Sequence, residues 1–303
     1  MLLSKELKKI GIECKCVNEK EFSSLGLASY NDKQNVCTFI TSGKYADSLS
    51  SGVSMIITNE VIYEELKGCN KLANSYGVCI VDNPRIVYFK LHCALCDDDK
   101  YRRAEFNTRV SSSAYVNKLA CIAEKNVIIG DNVIIEEFAS IKENTIIGNN
   151  SVIRSGSVIG GTGFEIKNSD GRLWTVKHVG GVIIGNNVEI QQCSSVDKAI
   201  YPWDDTILSD YVKINSQVQV AHGVKVNTNT EIASNTGIQG RVQIGKNVWI
   251  GPGCVIRNGI RIGDNARINM GSVVTLDVEN GEELSGNFAI PHLKFIEEMK
   301  LKK

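Results

Sequence analysis

"LSDYVKINSQVQVAHGVKV", residues 208–226, carries an aliphatic side chain at every sixth position: Leu208, Ile214, Val220 and Val226. The step continues through Ile232, Ile238, Ile244, Ile250, Ile256, Ile262 and Ile268 to Val274, twelve consecutive Leu, Ile or Val residues. An earlier register does the same at Ile129, Ile135, Ile141, Ile147, Ile153 and Ile159, and again at Ile184, Ile190 and Val196. The residue after the aliphatic is often Gly (Gly130, Gly148, Gly185, Gly245), and the fourth residue after it is small or β-branched (Val212, Val218, Val224, Ala266, Ser272). A period of six matches neither the 3.6 of a helix nor the 2 of a strand. It matches a triangular parallel β-helix, in which each hexad makes one short strand and one corner and three hexads make a coil. The aliphatics then point to the axis, and stacked coils bury them in one continuous core.

Composition narrows the function classes. The chain has 303 residues, with 34 Lys and Arg against 34 Asp and Glu, so its formal net charge is zero. A protein whose main partner is nucleic acid needs a basic surface to neutralise phosphates. No apolar run reaches the length of a secretory signal or a membrane span, and ten cysteines without a signal peptide read as reduced, mostly buried thiols. The expected compartment is the cytoplasm. Cys14/Cys16 and Cys93/Cys96, the latter beside His92, are each half of a structural zinc site, which wants four ligands. They read as core thiols, and no metal is expected.

The expected organisation is an α/β domain over residues 1–104, a β-helix over 105–276 with an insertion at 160–182, and a short helical tail over 277–303. In the first part, "VSMIIT" and "YGVCIVD" read as strands. "NPRIVYFKLHCALC" reads as a helix with Asn83 as N-cap and Pro84 at its first position. The insertion, rich in Gly with an Asn-Ser-Asp-Gly turn, reads as an excursion from the coils, and "DKAIYPWDDT" (197–206) as a second.

Several segments resemble the UDP-3-O-(3-hydroxyacyl)glucosamine N-acyltransferases, hexapeptide-repeat enzymes of lipid A synthesis. "CTFITSGKYADSL" is similar to their uridine-binding segment and "VDNPRIVYFK" to their Asn-Pro-Arg helix start. "GTGFEIKNSDGRLWTVKHVGGVIIGNNVEI" resembles their Gly-rich insertion, and "DDTILSDYVKINSQVQVAHGVKV" their catalytic coil. The resemblance implies a left-handed β-helix, a homotrimer, no metal or redox cofactor, and a UDP-linked amino sugar acylated from a thioester donor, acyl carrier protein or acyl-CoA. It implies that Phe39 and Tyr45 hold the uracil ring, with Ser42 standing where the family has Asn. Asn215 and Ser216, where the family has Asp-Asn, join Gln219 and Met270 as further substrate contacts. A later family histidine is replaced by Gly259, the family's Gly-Met is reversed as Met270-Gly271, and the C-terminal tail is short. These departures point to an altered acyl group or donor, as in a surface-polysaccharide enzyme, with the reaction type kept.

His222, one of only four histidines, stands at a corner of the repeat, where side chains are expected to point outward. Eighteen residues on is Gly240 and eighteen back, if the second excursion keeps register, is Asp204. Acyl transfer to an amine needs a base near neutral pH, a donor for the oxyanion and an acceptor that orients the imidazole. His222, the Gly240 amide and Asp204 or Asp205 fill these roles, and the resemblance assigns the first two in the same way. His178, at the end of the insertion, is either a substrate contact or structural. His92 and His292 read as structural or surface. A β-helix carbonic anhydrase would need three histidines on one metal, and a fused nucleotidyltransferase a Gly-rich N-terminal loop; neither is found. The competing reading is a non-catalytic β-helix that binds a nucleotide sugar or scaffolds a complex.

Overall fold

The computed structural model describes residues 1–28, 34–68, 76–286 and 289–301. By its contacts the chain divides into two compact units. The first comprises Met1–Ala104, Phe164–Val179 and Ile200–Trp203; the second comprises Glu105–Gly163, Gly180–Ala199 and Asp204–Lys303. The expected insertion into the β-helix domain therefore belongs by contacts to the N-terminal unit, as does the tip of the second excursion.

The second unit is a three-faced parallel β-helix with sheets of nine, eight and eight strands among the described residues. Pairing confirms the coil length where the hexads run unbroken: Gln219 pairs with Gly237 and Gly237 with Val255, eighteen residues at each step. Across the two excursions the step lengthens. Thr145 pairs with Val182 and Val182 with Thr206, nineteen and six residues more than one coil. Both excursions leave and rejoin the coils without breaking the ladder. The coils also continue past residue 276, since Glu283–Leu284 pairs with Arg267–Ile268. Helix His292–Leu301 follows.

The hexad's remaining positions have clear physical roles. The third residue after the aliphatic lies in the left-handed region at eleven successive corners, from Tyr211 to Gly271, with φ between 56° and 75°. Asn and Gly dominate there because they tolerate that conformation at least cost. At several fourth positions a buried Ser or Thr hydroxyl donates to a corner carbonyl of the next coil: Ser151 to Gly185, Thr230 to Gly245 and Thr236 to Gly251. The aliphatics form one core in which Val220, Ile238 and Ile256 are fully buried and in register. Ile238→Ala should therefore lose about 2–5 kcal/mol of stability, read as a lower urea midpoint.

The first unit is a five-stranded sheet flanked by helices. Its strands are β1 (Lys15–Val17), β2 (Ser24–Leu25), β3 (Val36–Phe39), β4 (Val53–Thr58) and β5 (Gly77–Ile80), in the order β1-β5-β4-β3-β2. All pairs are parallel except β1 with β5. The helix of Pro84–Leu95 begins as the sequence predicts, with Asn83 Oδ1 accepting from the Ile86 N–H at 3.2 Å. His92 on that helix is fully buried. Its Nδ1 lies 3.0 Å from the Tyr101 hydroxyl and its Nε2 2.9 Å from the Lys177 carbonyl, tying the helix to the Phe164–Val179 segment. Burial pushes its pKa down to about 4, so it serves as a neutral structural imidazole.

Candidate active site

The corner after strand Gln219–Val220 is formed by Ala221, His222 and Gly223, with Gly223 at φ +70°. His222 does not point freely outward as its corner position predicts. It is 8% exposed, and its ring lies against the next coil over Gly240. A methyl group on Gly240 would come within 2.7 Å of both Cε1 and Nε2 of that ring. Only glycine leaves room for the imidazole there. The His222 carbonyl accepts from the Arg241 N–H at 3.0 Å, and the Gly240 carbonyl accepts from the Gly259 N–H. The Gly240 N–H itself takes no part in this coil-to-coil ladder.

The coil below supplies carboxylates. Pairing of Ile207 with Lys225 keeps the eighteen-residue register through this corner, so Asp204 lies one coil under His222. It is buried, and its Oδ2 lies 3.2 Å from where a Gly223 methyl would sit. Lys225 Nζ donates to Asp204 Oδ1 at 2.8 Å, and Arg241 Nη1 lies 3.8 Å from Oδ2. Asp205 is half-buried; its carbonyl accepts from Lys225 and its N–H donates to Asp204 Oδ1 at 3.0 Å. The corner thus holds two cations against the Asp204 carboxylate. Arg241 takes a left-handed position, φ 63°, that neighbouring corners give to Asn or Gly. A long side chain there costs backbone strain, about 1 kcal/mol.

Asp197 was missed by sequence reasoning. Pairing of Val196 with Val220 places it one coil beneath Ala221. It is 9% exposed, and burial raises its pKa from 3.8 to about 6. Its carbonyl accepts from the Thr206 hydroxyl at 2.6 Å, and that hydroxyl accepts from the Gly223 N–H at 2.8 Å, which fixes the corner from below. Since the folded pKa lies above the unfolded one, the fold favours the protonated acid. This contribution is complete below about pH 4 and is lost as pH rises through about 6. Asp197→Asn should therefore stabilise the protein at pH 7 by about 1–3 kcal/mol and leave it unchanged at pH 4, as urea midpoints at the two pH values would show. Lys225 and Arg241 were missed as well, because their meeting at Asp204 depends on the register of three coils.

The other expected contacts are scattered. Gln219 is exposed on the strand leading to His222. Asn215 and Ser216 form the preceding corner, where Asn215 lines a groove of about 400 Å³ with Glu189, Lys213, Glu231 and Trp249. Met270 is 59% exposed. It stacks above Ser216, three coils away or about 14 Å along the axis by strand spacing, and so does not join the His222 corner. In the first unit, Phe39 is half-buried at the end of β3, its ring 4.8 Å from Tyr88 and 6.0 Å from Phe89 between centroids. Tyr45 is 56% exposed on the turn Gly43–Ser48, and Ser42 caps that turn through the Lys44 N–H. His178 is buried, its Nδ1 3.0 Å from the Val176 carbonyl of its own loop, which gives it a structural bond.

Known proteins share the repeat and the fold. The bacterial transferase hexapeptide (six repeats) family matches residues 126–161 and 241–275. A UDP-3-O-acylglucosamine N-acyltransferase of Pseudomonas fluorescens is 39% identical over 82 residues, 27% of this chain and 23% of that protein. Its counterpart in Delftia acidovorans is 29% identical over 132 residues, 44% of this chain and 39% of that protein. The chain thus matches well under half the length of these curated relatives. The structure of LpxA from Acinetobacter baumannii superposes with a TM-score of 0.50 at 23% identity, covering 64% of this chain and 77% of that one. That likeness is one of fold, a left-handed β-helix.

Proposed function

We infer that this chain, which carries the bacterial transferase hexapeptide repeat over residues 126–161 and 241–275, is an N-acyltransferase that moves an acyl group from a thioester to the amino group of a UDP-linked amino sugar. The observation that carries this reading is the buried imidazole of His222 seated on Gly240 with Asp204 one coil below. In the proposed reaction His222 removes a proton from the attacking amine as the N–C bond forms at the thioester carbonyl. The oxyanion is held by the Gly240 N–H, which the ladder leaves unused. Collapse breaks the C–S bond, and the imidazolium returns its proton to the leaving thiolate. In this reading Asp204, buried and held by Lys225 and Arg241, is assigned to orient the imidazole. Phe39 and Tyr45 take the uracil ring in this reading, by aromatic stacking.

The names of the partial relatives support the substrate class. The test measures free thiol released from acetyl-CoA or from a 3-hydroxyacyl carrier protein in the presence of a UDP-linked amino sugar. Turnover with the carrier protein alone places the chain in lipid A synthesis; turnover with acetyl-CoA makes it a polysaccharide-type N-acetyltransferase. Nucleotide-sugar binding with no turnover from either donor overturns the enzyme reading and leaves a binding protein.

A homotrimer is part of the proposal. Outward-facing Ile128, Ile146, Ile183 and Ile207 stack in register on one face of the coils, with Ile146 38% exposed, and offer an assembly apolar surface to bury. Light scattering at micromolar protein should give about three chain masses, and a monomer mass would refute it. Among the described residues no helix is long and apolar enough to cross a membrane.

A further inference from the structure

The N-terminal unit brings together three thiols that the sequence separates. Cys14 and Cys16 lie two residues apart at β1, so their side chains share one face. β1 runs antiparallel to β5 and sets Cys16 directly opposite Cys79. Cys14 Sγ and Cys16 Sγ are 3.8 Å apart, and all three sulfurs lie within 4.8 Å of one another. A tetrahedral zinc ion with bonds of about 2.3 Å to sulfur requires sulfur–sulfur separations of about 3.8 Å. The cluster is therefore close to ligand geometry before any ion binds. Cys79 is fully buried while Cys14 and Cys16 are half-buried, so one side is anchored in the core and the other is reachable from solvent.

Glu19 follows three residues after Cys16, and its carboxylate is held by the Ser4 N–H at 2.7 Å and the Ser4 hydroxyl at 2.9 Å. Hydrophobic packing accounts for one buried cysteine, but it does not require three sulfurs to converge. By sequence, Cys14 and Cys16 are two ligands short of a zinc site; the fold supplies Cys79 as a third.

We propose that Cys14, Cys16 and Cys79 bind one zinc ion, with a solvent molecule completing the coordination. Each zinc–sulfur bond forms as a thiol releases its proton to solvent. The ion ties β1, a three-residue edge strand, to β5 and so stabilises the sheet of the first unit. This site is independent of the His222 chemistry.

The test uses the full chain, reduced, stripped with a chelator and then titrated with zinc against a chromophoric competitor, with elemental analysis of the product. One zinc per chain is expected, together with a higher urea midpoint when zinc is present. Cys79→Ala and Cys14→Ser should each weaken zinc binding by about 100-fold and abolish the stabilisation. Cys93→Ser/Cys96→Ser should bind as the native chain does. Cobalt in place of zinc should give thiolate charge-transfer absorption in the native chain and lose it in Cys79→Ala. Less than stoichiometric zinc, unchanged affinity in both Cys14→Ser and Cys79→Ala, or a Cys16–Cys79 disulfide in the freshly purified protein would overturn the proposal.

Discussion

A His222→Ala chain should transfer acyl groups about 10²–10⁴-fold more slowly than the native chain, the range a positioned general base contributes. The loss should fall mainly on kcat, because the imidazole is assigned to the proton transfer rather than to holding the nucleotide. His222→Gln is the control for packing. It refills part of the space over Gly240 with a side chain that cannot act as a base, so it should be folded and equally slow. The coils above and below keep their ladder through Ala221 and Arg241, so neither variant should lose the fold. Activity within tenfold of native in both variants would remove His222 from the mechanism.

Gly240→Ala should be almost as damaging, at about 10²-fold in kcat, although the new methyl removes no functional group. The Gly240 backbone is outside the left-handed region, so alanine fits the local conformation. The N–H that would hold the oxyanion also remains. What the methyl meets is the imidazole, 2.7 Å from Cε1 and Nε2 and 3.3 Å from Nδ1, so the ring must move. The two substitutions should therefore be strongly non-additive, with the double variant no slower than His222→Ala alone. Gly223→Ala offers a contrast. There φ is +70° and the methyl would approach Asp204 Oδ2 at 3.2 Å, so it should lower the urea midpoint as well as the rate. Additive losses from His222→Ala and Gly240→Ala would show that Gly240 acts by a route other than seating the ring.

The β-helix was legible in the chain because its order is local. Each hexad carries its own inward aliphatic and its own corner, and the backbone at Asn229, Asn235 and Asn247 is left-handed as a run of corner asparagines implies. The His222 corner was legible for the same reason, since a fixed eighteen-residue coil places Gly240 beside it by arithmetic alone.

Only the tertiary structure decided what depends on register across an interruption or on pairing between distant strands. That His222 lies buried along the coils rather than outward follows from the open space over Gly240, which no periodicity states. Asp197 reaches the corner only because six residues leave the coil and return in phase. Lys225 and Arg241 read as surface charges until three coils stack them around Asp204. The Phe164–Val179 segment, sequential with the coils, groups with the N-terminal unit because its burial is satisfied there, through Val176 and the Lys177 carbonyl. Cys79 meets Cys14 and Cys16 only through the antiparallel pairing of β1 with β5, a contact across more than sixty residues that no local pattern encodes.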